Sequence, residues 1–193
     1  MKLILGSSSK PRAELLHEWG FGDFEIVKPD INEKSVRDDD PENLVVMIAE
    51  AKADAVMPHV SDDSFVITSD SIAVVGGEIR EKPDSKEEAY RWIRELSSGV
   101  PLDQVTSVSI TRAKDSKRLS AASRGTVVFD PLPDDGIAQF VESGDVFHFA
   151  GAYVIEDEPF FSHIQRIEGE YETIVGLPKK LTLAFLKELG YSH

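Results

Sequence analysis

Apolar positions fall in short runs and helical stripes that alternate along the chain. Leu3-Ile4-Leu5 is a strand-like run that stops at Gly6 and the serines Ser7 to Ser9, and a helical pattern begins near Pro11. Proline fits a first helical turn because its missing N–H has no partner there. The pattern predicts a helix that buries Leu15, Leu16 and Trp19 and ends at Gly20. Phe24 and Ile26 alternate as a short strand, and Pro29 sends the chain into a loop carrying Asp30, Asn32 and Glu33. A charged run follows, Arg37 to Asp40, of which Asp38 to Asp40 read as a solvated connector. Pro41 and Glu42 then open a helix with the stripe Val45, Ile48, Lys52 and Val56. Ser64 to Ser69 reads as a buried strand with Asp70 at its C-terminal end.

Ile72 to Val75, the turn Gly76-Gly77 and Glu78 to Arg80 predict a hairpin, ended by Lys82-Pro83. Ser85 and Glu88 have capping-box spacing before a helix that buries Ala89, Trp92, Ile93 and Leu96 and stops at Gly99. Val105 to Thr111 and Arg124 to Phe129 are strand-like, separated by a polar turn at Asp115 to Lys117. Asp134-Asp135 cap a short helix with Ile137, Phe140 and Val141 inward and Gly144 at its end. Gly151 to Ile155 and Phe160 to Ile167 read as further strands. Gly176-Leu177-Pro178 turns into a last helix with Leu181, Phe185, Leu186 and Leu189 inward. Strands and helices mix throughout, which predicts an α/β fold with a mixed sheet.

Some positions break these patterns. A lysine within a core-facing stripe either snorkels to water or projects into a cleft, and Lys52 is such a lysine. Asp70 sits just past a strand end, where open α/β sheets collect ligands, although an aspartate there is also a common turn residue. The strand–serine–helix opening offers a helix N-terminus, the hydroxyls of Ser7 and Ser9 and the charges of Lys10 and Arg12 to an anion. The same stretch also suits a plain surface helix capped by Ser9.

Composition narrows the chemistry. A chain of 193 residues is one sizeable domain, or two lobes sharing a sheet, with core enough to need no staple. It has no cysteine, which removes disulfides, thiol nucleophiles and cysteine-based zinc sites. No apolar run approaches a membrane span and the opening residues are not a signal peptide, so a cytoplasmic protein with no membrane partner is expected. A formal net charge of −14 disfavours nucleic acid polymers and leaves small phosphate ligands open, with carboxylates available for a divalent metal. No Gly-x-Ser-x-Gly elbow occurs, and His17, His59, His148, His163 and His193 lack zinc-ligand spacing. What remains is Asp70 and Glu33 with Lys52 and Lys82, a set suited to metal-assisted hydrolysis of a phosphoanhydride.

Ordered motifs extend this reading. Leu5 to Leu16 (LGSSSKPRAELL), Pro29 to Glu33 (PDINE), Ala49 to Ala53 (AEAKA), Asp70-Ser71, Lys82-Pro83, Leu96 to Gly99, Ala150 to Tyr153 (AGAY) and Val175 to Pro178 (VGLP) occur in this order. Together they resemble the Maf (septum-formation) nucleotide pyrophosphatases, from about residue 3 to about residue 190. The resemblance implies a mixed sheet flanked by helices, similar to the inosine triphosphate pyrophosphatase fold, with a cleft between two lobes. It implies hydrolysis of a nucleoside triphosphate to monophosphate and pyrophosphate with Mg²⁺ or Mn²⁺. Carried over by position, Asp70 is the general base, Glu33 assists with metal or water, and Lys82 joins them in catalysis. Ser7, Ser9, Lys10, Arg12 and Lys52 fall at phosphate-binding positions, and Ser71 and Glu156 at positions tied to base choice. Metal would fall to Asp70 and Glu33. A homodimer is compatible with this kind of fold, but the sequence shows no interface.

Departures bear on substrate. Pro11 replaces the first of the family's paired arginines, Ser71 its threonine, Leu102 a histidine, Phe149 a lysine and Glu156 a glutamine. Tyr153, Glu170 and Tyr171 side with the thymidine/uridine branch, which implies dTTP, UTP or modified pyrimidine nucleotides and a role in nucleotide-pool cleansing. Two readings compete. One is a catalytically impaired nucleotide-binding protein involved in cell-division control. The other is an aspartyl-phosphate phosphatase using Asp70, which normally needs a second aspartate where this chain has Ile72.

Overall fold

The computed structural model describes residues 1–192, and His193 lies outside them. The first elements are β1 (Lys2–Leu5), α1 (Lys10–Glu18), β2 (Phe24–Ile26), α2 (Pro41–Val56) and β3 (Ser64–Thr68). They are followed by β4 (Ser71–Val75), β5 (Glu78–Arg80), α3 (Lys86–Ser97), β6 (Leu102–Arg112) and β7 (Lys117–Phe129). The chain closes with α4 (Asp134–Ser143), β8 (Ile164–Glu168), α5 (Tyr171–Val175) and α6 (Lys179–Leu189). It divides into two compact units, one formed by Met1–Asp70, Thr106–Ser123 and the residues from Gly176 onward, the other by Ser71–Val105 and Arg124–Val175.

In the first unit β1 runs between β2 and β3, parallel to both, with Leu3 opposite Phe24 on one side and Phe65 on the other. β3 pairs antiparallel with β6, Thr68 opposite Ser109. Both faces of β3 are buried, as its unbroken apolar run requires. Helix α2 packs on β3 and buries Val45, Ile48, Ala49, Lys52, Ala53 and Val56. Asp40 does more than connect: its carboxylate accepts from Glu42 N at 2.8 Å and Asn43 N at 3.2 Å and caps α2. Asp40 is exposed, as a solvated connector requires, and it shows that a charged run can also end in an N-cap. Ser9 stands at the N-cap position of α1 without a side-chain capping bond.

In the second unit β4 and β5 form the expected hairpin, and β7 pairs antiparallel with β8. Its core gathers Ala73, Ala89, Trp92, Ile93, Leu96 and Phe129. Ser85 caps α3 through Glu88 N at 3.2 Å, while the Glu88 carboxylate reaches the N–H of Asp84 at 3.0 Å. Pro133 holds the cap position of α4, so Asp134 and Asp135 lie in its first turn, where negative charge is favoured.

The strands Val105 to Thr111 and Arg124 to Phe129 extend further than their apolar patterns, because polar side chains pair along them. Ser120 Oγ donates to Ser109 Oγ at 3.0 Å and Arg118 Nε to Thr111 Oγ1 at 2.8 Å. Helix α5 was not anticipated, and in α6 it is Thr182, Leu186 and Leu189 that are buried. Leu181 and Phe185 are half-buried.

Two expected strands are corrected. Phe160 to His163 forms turns, and only Ile164 onward pairs as β8. Gly151 to Ile155 is not a strand: Gly151 has φ +71° and Ala152 φ +59°, conformations that a strand excludes. The cause is close contact. Gly151 N–H donates to the Glu81 carbonyl at 3.0 Å, and a Cβ on Gly151 would stand 2.6 Å from Ala73 Cβ. Gly77, at φ +85°, faces open space. Gly77→Ala is therefore expected to cost about 1 kcal/mol of backbone strain. Gly151→Ala adds a clash worth about 1–3 kcal/mol more. Thermal unfolding checks the order, since each kcal/mol moves Tm by about 2–4 °C in a chain of this size.

Candidate active site

The end of β1, the start of α1, the middle of α2 and the end of β3 meet in the first unit. Gly6 makes the approach possible, since a Cβ there would lie 2.6 Å from Thr68 Cγ2 and 3.2 Å from Val56 Cγ2. Beyond it, Ser7 is buried, its Oγ accepting from Ser9 N at 3.1 Å and from Arg12 Nη1 at 3.3 Å. Arg12 is buried too, donating through Nε to the Gly176 carbonyl at 2.7 Å and through Nη1 to the Ser69 carbonyl at 3.0 Å. The strand–serine–helix opening is thus fastened to the end of β3 and to the turn before α6. Lys10 is 86% exposed and pairs with Glu14 at 3.2 Å.

Lys52 does not snorkel. Its side chain is 8% exposed, and Nζ lies 2.7 Å from Asp70 Oδ1 and 2.9 Å from Glu33 Oε1. It also approaches the Ser69 carbonyl at 3.4 Å. Asp70 is buried, whereas Glu33 stands on a short 3₁₀ turn (Glu33–Ser35) with its side chain 54% exposed. Five of the positions singled out in the sequence, Ser7, Arg12, Glu33, Lys52 and Asp70, therefore lie in one bonded neighbourhood, with Ser9 tied to it through Ser7.

Charge and burial oppose each other here. Burial pushes the Asp70 carboxyl above its ordinary value, more strongly than the charge and hydrogen bond of Lys52 and the charge of Arg12 pull it down, and Glu33 adds to the rise. Burial likewise lowers the Arg12 guanidinium, against the attraction of Asp70 and Glu33. Among basic side chains, arginine is the one best able to keep its charge when buried and paired.

The other expected residues belong to the second unit. Ser71 opens β4, Lys82 is exposed just past β5, and Glu156 is exposed in the irregular segment after Tyr153. Tyr153 is buried and donates its hydroxyl to Gln104 Oε1 at 2.9 Å. Burial, with the charge of Glu156, raises this phenol far above its ordinary value. Leu102, at the family's histidine position, is fully buried. Of the histidines that could have been core or site, His148 is exposed, and His163 is half-buried with Nδ1 2.8 Å from the Pro159 carbonyl.

Residues beyond the expected site set also surround Asp70. Thr68, Ser69 and Ser107 are fully buried hydroxyl residues beside it. The signal available was Thr106-Ser107-Val108-Ser109, small hydroxyls crowded into a strand otherwise built for burial.

As for a metal, no group of three or more His, Cys, Asp or Glu side chains poised to hold one is found among the described residues. Glu33 and Asp70, converging on Lys52, supply two carboxylates. That set suits Mg²⁺ or Mn²⁺ arriving with a phosphate ligand, since such ions keep few protein ligands and complete their shell with phosphate oxygens and water.

The raised carboxyl makes a prediction about stability. Folded Asp70 holds its proton to higher pH than unfolded aspartate, so stability falls as pH climbs from the ordinary carboxylate range through the folded value. Ionised Asp70 is a net cost above that window. Asp70→Asn keeps an amide oxygen for Lys52, which Glu33 still holds. The variant is expected to melt above the parent at pH 7, with the gap closing below about pH 4. A lower Tm at pH 7 would show that pairing with Lys52 outweighs burial.

Comparison with known proteins agrees with the motif order. The family model described as "Maf-like protein" matches residues 2–189. A 7-methyl-GTP pyrophosphatase from Dictyostelium discoideum is 36% identical over 195 positions, covering 97% of each chain. A dTTP/UTP pyrophosphatase from Geotalea uraniireducens is 36% identical over 188 positions, covering 97% of this chain and 95% of its own. A solved structure titled as a nucleoside-triphosphatase / dITP/XTP pyrophosphatase from Mycobacterium abscessus aligns with TM-score 0.45 and 12% identity, over 98% of this chain and 95% of its own. With a family match running from residue 2 to 189, this chain belongs to the Maf family.

Proposed function

We propose that this protein is a nucleoside triphosphate pyrophosphatase, releasing pyrophosphate and a nucleoside monophosphate. The observation that carries the reading is the buried Lys52 ammonium held between Asp70 at 2.7 Å and Glu33 at 2.9 Å, at the C-terminal end of β3. Relatives at 36% identity over nearly the full length, one named for 7-methyl-GTP and one for dTTP/UTP, support the reaction class.

In this reading the Asp70 carboxylate takes a proton from water as its oxygen attacks the α-phosphorus. The bond from that phosphorus to the bridging oxygen breaks, and its electron pair leaves on pyrophosphate. Burial suits Asp70 to the task, because a carboxyl raised above its ordinary value is a stronger base once ionised. Lys52 and Lys82, with Arg12 sharing the Ser69 carbonyl with Lys52, are assigned to answer the charge that builds on the phosphoryl oxygens. Ser7, Ser9 and Lys10 bind phosphate oxygens at the entry to α1. Glu33 and Asp70 would hold Mg²⁺ or Mn²⁺, which supplies Lewis-acid polarisation of those oxygens.

For the base we propose a pyrimidine, read by Ser71 and Glu156. A carboxylate in place of an amide loses hydrogen-bond donors, and sites built on particular hydrogen bonds discriminate strongly when these change. Tyr153, whose hydroxyl is fixed on Gln104 at 2.9 Å, supports the same branch. The catalytically impaired binder is disfavoured by the intact grouping of Lys52, Asp70 and Glu33.

A panel of standard and modified nucleoside triphosphates with Mg²⁺ or Mn²⁺, scored for pyrophosphate against single phosphate, tests the proposal. Pyrophosphate from dTTP or UTP is expected. Pyrophosphate from 7-methyl-GTP alone would keep the reaction and reject the base assignment, and single phosphate would reject the reaction. In the same assay Asp70→Asn is expected to lose about 10²–10⁴-fold in kcat while still binding nucleotide, as measured by calorimetry. A parent protein that binds nucleotide and releases nothing would establish the binder instead.

A further inference from the structure

The antiparallel ladder between β3 and β6 pairs Thr68 with Ser109, and continuing that register by two residues places Asp70 opposite Ser107. Facing residues at such a site normally exchange two backbone bonds. Only one is made here: Ser107 N–H donates to the Asp70 carbonyl at 2.9 Å. The reciprocal bond is replaced by hydroxyls. Asp70 N–H donates to Ser107 Oγ at 3.2 Å, and the Ser107 carbonyl accepts from Ser69 Oγ at 2.6 Å.

Each hydroxyl reaches a second partner. Ser107 Oγ lies 2.7 Å from the Val45 carbonyl on α2, the helix that carries Lys52. Ser69 Oγ lies 2.9 Å from the Gly176 carbonyl, which also accepts from Arg12 Nε at 2.7 Å. Both serines are fully buried, so neither has water as an alternative partner. Asp70 is thereby released from the plain ladder and tied to the two elements that carry the buried cations.

We infer that Ser69 and Ser107 are positioning residues, whose hydroxyls replace a ladder bond and so set the Asp70 carboxylate against Lys52. The inference rests on the pyrophosphatase reading, in which Asp70 must meet water at a fixed place. Misplacing a catalytic group by about 1 Å costs about 10²-fold in rate. Without the hydroxyls, Asp70 N–H and the Ser107 carbonyl can close the ordinary ladder bond. The fold then survives while the carboxylate moves.

The test compares Ser107→Ala and the Ser69→Ala/Ser107→Ala double variant with Ser109→Ala. Ser109 is equally buried on β6, but its Oγ is bonded to Ser120 at 3.0 Å. Steady-state kinetics on the best substrate should show kcat reduced about 10- to 100-fold with KM within about twofold for the first two variants, and neither changed for Ser109→Ala. Thermal unfolding should leave the double variant within a few degrees of the parent. Amide exchange of nucleotide-free protein should show Asp70 N–H still protected in the double variant, now by a backbone acceptor. Ser107→Thr, which keeps the hydroxyl, should recover most of kcat. Parental kcat in the double variant would overturn the inference, as would equal losses in Ser109→Ala. A parent silent toward every nucleoside triphosphate would overturn the pyrophosphatase reading and the inference with it, so the two failures are told apart by the parent alone.

Discussion

A buried ammonium shared by two carboxylates is the constraint from which the first unit takes its shape. Removing a lysine charge from water costs several kcal/mol even after relaxation, and only close, well-aligned partners offset it. Lys52 meets Asp70 at 2.7 Å and Glu33 at 2.9 Å, so the end of β3 and the turn at Glu33 have to lie where α2 delivers Nζ. Other contacts fix that delivery. Asp40 caps the start of α2, and Thr68 Oγ1 donates to the Ala49 carbonyl at 2.7 Å, one turn before Lys52. Gly6 lets β1 approach β3 closely enough for the serine loop to close over the same point.

Around this pair, acceptors are shared between distant parts of the chain. The Gly176 carbonyl takes bonds from Arg12 and Ser69, and the Ser69 carbonyl from Arg12 and Lys52. Two buried cations thus converge on one backbone oxygen beside Asp70. Such sharing explains why motifs near residues 12, 70 and 176 belong together, although no single one is specific. Each leaves a buried polar group that another must satisfy.

Much of this was legible because burial leaves a periodic trace. Lys52 betrayed itself by occupying a core-facing place in a helical stripe, and Asp70 by following a run that only a buried strand explains. Hydroxyl anchors leave a fainter trace: Thr106 to Ser109 crowd hydroxyls into a buried strand, but the role of Ser107 depends on which residue lies opposite. Gly151 to Ile155 misled for a related reason. Apolar residues after a glycine match a strand until tertiary contact, here with Ala73, imposes a positive φ. Asp40 was hidden in a charged run, where composition speaks louder than position.

The two carboxylates that hold Lys52 are themselves held differently. Asp70 is buried at a strand end, its backbone bonded on both sides to Ser107, and its environment resists ionisation. Glu33 stands half in water on a single 3₁₀ turn, so solvent can take over whatever bond it gives up. In the proposed reading, an anionic phosphate competing for Lys52 would displace Glu33 at least cost. Asp70, with only 11% of its side chain exposed, has far less solvent to replace a lost partner. A base must stay where the reaction needs it while its partners exchange. Under the proposed reaction, the rigid, reluctantly charged Asp70 would be suited to proton transfer, and the exposed Glu33 to the adjustable task of meeting metal and substrate.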